Sequence, residues 1–268
     1  MTINYPGKEP SSTMKPSVPA ITRCKCCKAT ARLFDVCDLN KNCEERNGLF
    51  LDLSGIPIYY YRCPQCGFIF TEAFDNLDQS EFSRLIYNSD YLRVDPDYAT
   101  ERPNLLAQLI TNTFINSRDT IKVLDYGGGN GGLAQRLIEN GFNQVSVYDP
   151  FTPEFAQKPS EKFHLILAFE VVEHVPDLYE TFSHITDLLD PQRGFITMST
   201  VLQPPEIDRL KGGWWYIAPR NGHISIHTLQ SLQTVINSFG LKLVSTDQSI
   251  HCAFRQIPDF AQHIFKSG

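Results

Sequence analysis

Val123-Leu124-Asp125-Tyr126-Gly127-Gly128-Gly129-Asn130-Gly131-Gly132-Leu133 is the stretch on which the fold turns. An apolar run from Ile121 ends in an acid, gives way to five glycines in six residues, and passes directly into an apolar-periodic segment, Leu133 to Leu137. The pattern predicts a strand over Ile121 to Asp125, a tight turn, and a helix over about Gly131 to Asn140. Glycines at that junction let backbone N–H groups at a helix N-terminus approach a ligand closely. A ligand site at the turn is the economical reading.

Gly127, Gly129 and Gly132 also fit G-x-G-x-x-G, the dinucleotide pattern. Asp125 argues against a dinucleotide, because a carboxylate two residues before the first glycine would repel a pyrophosphate. A ligand that brings cationic groups and a ribose to this end of the sheet suits it better. The next strand, Gln144 to Tyr148, ends at Asp149, an acceptor for both ribose hydroxyls, and Pro150 and Phe151 add an apolar surface. A third piece, Phe163-His-Leu-Ile-Leu-Ala-Phe-Glu-Val-Val-Glu-His-Val-Pro-Asp177, begins as a nearly continuous apolar run, as a buried parallel strand does.

In V-L-D-Y-G-G-G-N-G, V-Y-D-P and F-H-L-I-L-A-F-E-V-V-E-H-V-P-D, in that order, the chain resembles the class I S-adenosylmethionine-dependent methyltransferases over residues 101 to 256. The third motif is similar to that of the small-molecule branch, with His164 where an acid usually follows Phe163. The resemblance implies an α/β fold with a doubly wound, mostly parallel sheet and S-adenosylmethionine as cofactor. It assigns Asp125, Gly127, Gly129, Asn130, Gly131, Asp149, Pro150, Phe151, Phe169 and Glu170 to that cofactor. Only thirteen residues separate Asp149 from Phe163, few for a helix and a further strand, so the family's third strand is expected to be reduced. Helices are expected over Arg102 to Ile115, Leu178 to Leu189 and, capped by Thr228 and stopped by Gly240, Leu229 to Phe239. Phe195 to Thr200 reads as a strand, and Leu241 to Thr246 with His251 to Arg255 as closing antiparallel strands.

Upstream, Cys24-x-x-Cys27 and Cys63-x-x-Cys66 are separated by 35 residues, and seven of the eight cysteines fall between 24 and 66. Two such pairs place four thiolates around a tetrahedral Zn²⁺ at about 2.3 Å each. Cys26 competes with Cys27, and Cys37 or Cys43 with the others. The short β-rich runs between the pairs cannot form a core alone, so a metal would tie them together. The pattern resembles the N-terminal zinc ribbon of methyltransferases in glycan and natural-product pathways. The expected layout is a leader over 1–20, the ribbon over 21–71, an acidic connector over 72–100 that lids the cofactor through Tyr87 and Tyr91, and the main domain over 101–268.

The segment Val201 to His227 follows the last parallel strand, where an acceptor pocket is normally built. Trp214, Trp215 and Tyr216 are the candidates for holding the acceptor, and His223, then His174, then Glu170, for a catalytic base. The expected acceptor is a small molecule or a sugar-type glycan precursor. A formal charge of −6 argues against a general nucleic-acid binder. An RNA methyltransferase with a zinc-ribbon module, and an inactive cofactor-binding subunit that docks a partner, are the alternatives. With no signal-like segment and no membrane-span-length apolar run, the expected location is cytoplasmic.

Overall fold

The computed structural model describes residues 18–265. The leader read over residues 1–20 lies, but for its last three residues, outside them. Two sheets carry the fold. The larger holds β5 (Val123–Tyr126), β6 (Val145–Tyr148), β7 (Leu165–Phe169), β8 (Phe195–Ser199), β10 (Lys242–Ser245) and β11 (Ile250–Phe254) in the order β10-β11-β8-β7-β5-β6. β6, β5, β7 and β8 pair in parallel, and β11 runs antiparallel to both β8 and β10. β5, β7 and β8 are buried along their whole length, which is why their sequences are continuous apolar runs rather than alternating ones. β6 is an edge of this sheet, so the reduction of the third strand is complete.

Helices cover both faces. On one lie α3 (Glu101–Phe114) and α4 (Gly132–Glu139), packing Ile110, Phe114, Leu133 and Leu137 against Val123, Leu165 and Phe195. On the other lie α5 (Leu178–Leu188) and α7 (Leu229–Ser238), packing Phe182, Ile185, Leu232 and Ile236 against Leu124, Ile166 and Ile196. Thr228 accepts the Ser231 N–H in a capping box at the head of α7, and Gly240 takes φ +70° just past its end.

The smaller sheet has the order β1-β2-β3-β4-β9, from β1 (Ile21–Arg23), β2 (Thr30–Asp38), β3 (Pro57–Arg62), β4 (Ile69–Thr71) and β9 (Ser225–Ile226). The ribbon read over 21–71 therefore does not close on itself. Its fourth strand pairs with a strand from the acceptor segment, Ile69 with Ile226 and Phe70 with Ser225. A two-residue strand has too little length for period-2 alternation to show in sequence. The connector forms α1 (Gln79–Leu85), α2 (Tyr91–Val94) and a 3₁₀ turn at Pro96–Ala99, and α6 (Ile207–Leu210) opens the acceptor segment. Connector, ribbon and acceptor segment share one apolar cluster that includes Ile58, Tyr60, Phe74, Phe82, Tyr91, Trp214 and Ile224. Among the described residues, no helix is long and apolar enough to cross a membrane.

Candidate functional site

The glycine turn after β5 is held open by three residues in the left-handed region, Gly127 at φ +73°, Gly129 at +55° and Gly131 at +77°. Gly127 is also pressed from outside, since a Cβ there would lie 2.6 Å from Val171. Asp149, at the end of β6, fastens the turn. Its Oδ2 accepts the Gly129 N–H at 2.9 Å, and its Oδ1 accepts the N–H groups of Phe151 (2.8 Å) and Thr152 (3.0 Å). Asp125 is 3% exposed and its Oδ2 has no hydrogen-bond partner among the described residues. Burial pushes its carboxyl up to about 7, with the charge of Asp149 adding to the effect.

A cavity of about 860 Å³ begins at this turn. Asp125, Gly127, Gly129, Asn130, Asp149, Pro150, Phe151, Phe169 and Glu170 line one part of it. Gly131 does not; it precedes α4 as its N-cap, and a Cβ there would face the Phe155 ring at 3.2 Å. The connector covers the opening. Tyr87 packs on Phe151 (ring centroids 5.2 Å) and on Tyr91 (5.1 Å), and both tyrosines line the cavity. Tyr91 donates to Asp95, whose carboxylate takes a bidentate pair of bonds from Arg102 at 2.7 and 2.9 Å. Tyr98 lines the cavity as well, its hydroxyl so close to Gly129 that a Cβ there would stand 2.2 Å away. Tyr98, Asp95 and Arg102 were not singled out in the sequence, where nothing marks a pair seven residues apart across a turn.

The same cavity continues to a buried polar cluster. Glu170 sits at the carboxyl end of β7 with φ +53°, a conformation that costs a non-glycine residue energy and clusters at functional sites. Ser199 on β8 holds it, accepting its backbone N–H at 2.9 Å and donating to its Oε1 at 2.8 Å. Three residues on, Glu173 accepts a short hydrogen bond from the Tyr216 hydroxyl through Oε1, while its Oε2 is unpartnered. His223 Nδ1 lies 2.9 Å from the carbonyl oxygen of Tyr216. A carbonyl only accepts, so Nδ1 carries the hydrogen and the Nε2 lone pair is free. His174 packs edge-on against His223 at 5.0 Å, with an unpartnered Nδ1. Burial holds both imidazoles below their ordinary range, His174 far below because His223 and Arg102 add to it. Burial, then the charge of Glu170, raises the Glu173 carboxyl well above the carboxylate range.

The acceptor segment is split by the structure. Trp215 and Tyr216 line the cavity, with the Arg46 guanidinium 4.0 Å over the Trp215 ring. Trp214, named above with the acceptor, is instead a core residue. It is 6% exposed, lies in the apolar cluster beneath the segment and is not on the cavity wall. Adjacent residues on an irregular segment point in different directions, so two neighbouring tryptophans cannot be told apart by composition. Cys43, weighed above only as an alternative zinc ligand, lies on the wall with its Sγ 3.8 Å from His223 Nδ1.

The Sγ atoms of Cys24, Cys27, Cys63 and Cys66 lie within 4.8 Å of one another, with Cys24–Cys66 at 3.6 Å and Cys27–Cys63 at 3.4 Å. Four sulfurs at about 2.3 Å from a tetrahedral zinc stand about 3.8 Å apart, so the donor set fits that ion. The two turns match. Lys28 N–H bonds Cys24 O, and Gly67 N–H bonds Cys63 O, with Lys28 at φ +62° and Gly67 at +75°. Lysine thus adopts the turn that glycine adopts in the second pair. The alternatives are used elsewhere: Cys26 donates to Ser231 O and Cys37 to Gly212 O.

A family model described as a methyltransferase domain matches residues 98–246, more than half of the chain. No curated protein matches the chain significantly. Solved structures similar to it include an O-methyltransferase family protein from Burkholderia thailandensis, at 12% identity and a TM-score of 0.49 over 66% of this chain and 63% of that one. The chain thus spans less than two thirds of that protein. Another is magnesium protoporphyrin IX methyltransferase from Synechocystis PCC 6803 with bound SAH, at 15% identity and a TM-score of 0.42 over 68% and 97%. A third is the 1,6-didemethyltoxoflavin-N1-methyltransferase of Burkholderia thailandensis, at 16% identity and a TM-score of 0.47 over 76% and 96%.

Proposed function

Since the chain belongs to the methyltransferase-domain family, we propose that it is an S-adenosylmethionine-dependent methyltransferase acting on a small molecule or a sugar-type glycan precursor. The observation that carries this reading is the single cavity that joins the glycine turn and Asp149 at one end to Glu170, His174, His223 and Trp215 at the other. S-adenosylmethionine, when bound, supplies the methyl group on a sulfonium.

The residues fit that cofactor. The unpartnered Asp125 Oδ2 suits its cationic amino-acid end, and the acceptor site that Asp149 keeps on Oδ2 beside its three backbone bonds suits a ribose hydroxyl. Gly127, Gly129 and Asn130 form the cradle, and Pro150 and Phe151 offer the adenine an apolar wall. Gly131 serves by shaping the turn rather than by contact. Phe169 and Glu170, at the carboxyl end of β7, stand where the transferred group passes, as ligands of doubly wound sheets lie beyond strand ends.

At the acceptor end, Tyr216 fixes the His223 ring through its carbonyl and Glu173 through its hydroxyl, so two groups are positioned by one residue. His223, His174 and Glu170 are assigned to handling the charge of the acceptor nucleophile, and Trp215 to stacking on it. Tyr87 and Tyr91 exclude water from above, which lowers the barrier to charge transfer in the cavity. We place a structural zinc in the four-thiolate site, and the chain in a reducing compartment such as the cytosol, in keeping with cysteines that form no disulfide in residues 18–265. A cavity roofed by the connector and the formal charge of −6 favour a small acceptor over RNA.

Calorimetric titration with S-adenosylmethionine and S-adenosylhomocysteine tests the reading. Micromolar binding is expected, with Asp149→Ala weaker by about 1.5–3 kcal/mol, the scale of hydrogen bonds to a charged group. No binding by zinc-replete protein would overturn it in favour of a docking subunit.

A further inference from the structure

The polar cluster at the acceptor end has more donors than a single base requires. One carboxylate oxygen of Glu173 and one ring nitrogen each of His174 and His223 lie within 4.8 Å of one another, with Glu173 and His223 buried and His174 half-buried. Two of the three carry atoms with no partner among the described residues, Glu173 Oε2 and His174 Nδ1. Buried polar atoms are almost always paired, and two orphans on consecutive residues call for a cause. The third residue presents a free Nε2 lone pair, because its Nδ1–H is spent on the Tyr216 carbonyl. That arrangement, one imidazole nitrogen held by a backbone carbonyl and the other left open, is how metal-ligating histidines are oriented.

The scaffold around the three is rigid. The carbonyl of Glu173 accepts the N–H groups of Ile224 (2.9 Å) and Ser225 (3.0 Å), which locks the turn after β7 to the segment carrying His223. Glu170 adds a second carboxylate close enough for its charge to act on both Glu173 and His223. Among the described residues no lysine or arginine donates to the Glu173 carboxylate, which accepts from the Tyr216 hydroxyl. A buried acid of this kind wants a cation, and the two imidazoles beside it, held neutral, are ligands and not counter-charges.

We propose that Glu173, His174 and His223 form a binding site for one divalent first-row cation at the acceptor end of the cavity. Two imidazoles and a carboxylate suit Mn²⁺, Fe²⁺, Co²⁺ or Zn²⁺. Ligand atoms at about 2.1 Å from such an ion stand about 3 Å apart, so the side chains close inward by roughly an ångström on binding. The remaining positions open onto the cavity and take oxygen atoms of the acceptor, which marks an acceptor with a hydroxyl beside a second oxygen donor. The acceptor's identity rests on the methyl-transfer reading; the cation site does not.

The test is Mn²⁺ titration, followed by electron paramagnetic resonance, of full-length protein made zinc-replete only at the four-cysteine site, with about one Zn²⁺ per chain. Mn²⁺ is the probe because it prefers oxygen and nitrogen to thiolate and leaves the cysteine site alone. The expected result is about one Mn²⁺ per chain, with affinity reduced at least roughly 100-fold in Glu173→Gln and in His223→Asn. Asp149→Ala should bind Mn²⁺ as wild type does while losing cofactor affinity. S-adenosylhomocysteine binding on each sample reports separately on the fold and on the methyl-transfer reading. Absence of Mn²⁺ binding in wild type, or binding untouched by both substitutions, overturns the site and returns His223 to the role of direct base. Should the variants fail to fold, the Co²⁺ spectrum of the zinc-replete wild type decides. Visible ligand-field bands without a thiolate charge-transfer band support the site, and a thiolate band alone overturns it.

Discussion

In the proposed reading, Asp125 is a buried acid that couples folding to cofactor binding. Its carboxyl is pushed from 3.8 up to about 7 by burial and by Asp149. Between those values the folded chain keeps a proton that the unfolded chain has released, so the cofactor-free protein loses stability as pH rises from about 4 to about 7. Asp125→Asn removes the titration. Denaturant unfolding of the two proteins at pH 4.5 and pH 8 should show the variant gaining a few kcal/mol relative to wild type at the higher pH. Equal pH dependence in both would mean that the carboxylate is solvated. A cationic cofactor works in the opposite direction, favouring the ionised form, so its binding below pH 7 should release a proton, read as a heat that changes with buffer. The unpaired Oδ2 thus stores destabilisation in the empty site that the cofactor relieves. Sequence alone revealed Asp125 as an acid before a glycine turn, but its isolation depends on side chains from β6 and the turn that only folding assembles.

The elements divide according to how local their causes are. The β5–turn–α4 unit, the buried run of β7 and the capped α7 were legible because each is specified within a dozen residues: glycines where φ is positive, an unbroken apolar stretch, Thr228 and Gly240 at the two ends. Strand β9 was not legible, since its partner Ile69–Phe70 lies more than 150 residues upstream and pairing, not propensity, makes it a strand. The segment Lys211–Pro219 was legible as a special stretch and not residue by residue. Trp214 is enclosed between Trp215, Tyr216 and the apolar cluster, whereas Trp215 lines the cavity under Arg46. Trp214→Ala should therefore cost about 3–5 kcal/mol of stability, and Trp215→Ala far less. Thermal unfolding with acceptor binding on both variants separates them: Trp215→Ala should retain its melting temperature and lose acceptor affinity. Equal loss of stability would place both rings in the core.

At the scale of the whole molecule, the four-cysteine module is built into the main domain and not appended to it. The Thr228 hydroxyl that caps α7 also donates to the Cys66 carbonyl at 2.6 Å, Gln203 donates to Gly67 O, and Tyr179 on α5 donates to Cys26 O at 2.7 Å. β4 passes directly from the second cysteine pair to β9, and Ser225 of β9 is two residues from His223. Four thiols brought to within 4.8 Å, with Cys24 raised by its hydrogen bond to Cys66 and by burial, Cys27 by burial, and Cys66 by its contact with Cys26 and by burial, lack the charge a metal would stabilise as thiolate, so the ion would organise this corner. Cys63→Ser should release the zinc and lower the melting temperature by roughly 5–10 °C, a loss of a few kcal/mol in a chain of this size. Because the acceptor segment supplies a strand to the ribbon, the loss should appear as one cooperative transition, and acceptor affinity should fall further than S-adenosylhomocysteine affinity. Calorimetric unfolding of metal-quantified samples reads both. Two separate transitions, with acceptor binding intact, would show a ribbon that folds on its own. A single transition would mean that the metal holds the acceptor wall in place through β9, although it stands apart from the cavity.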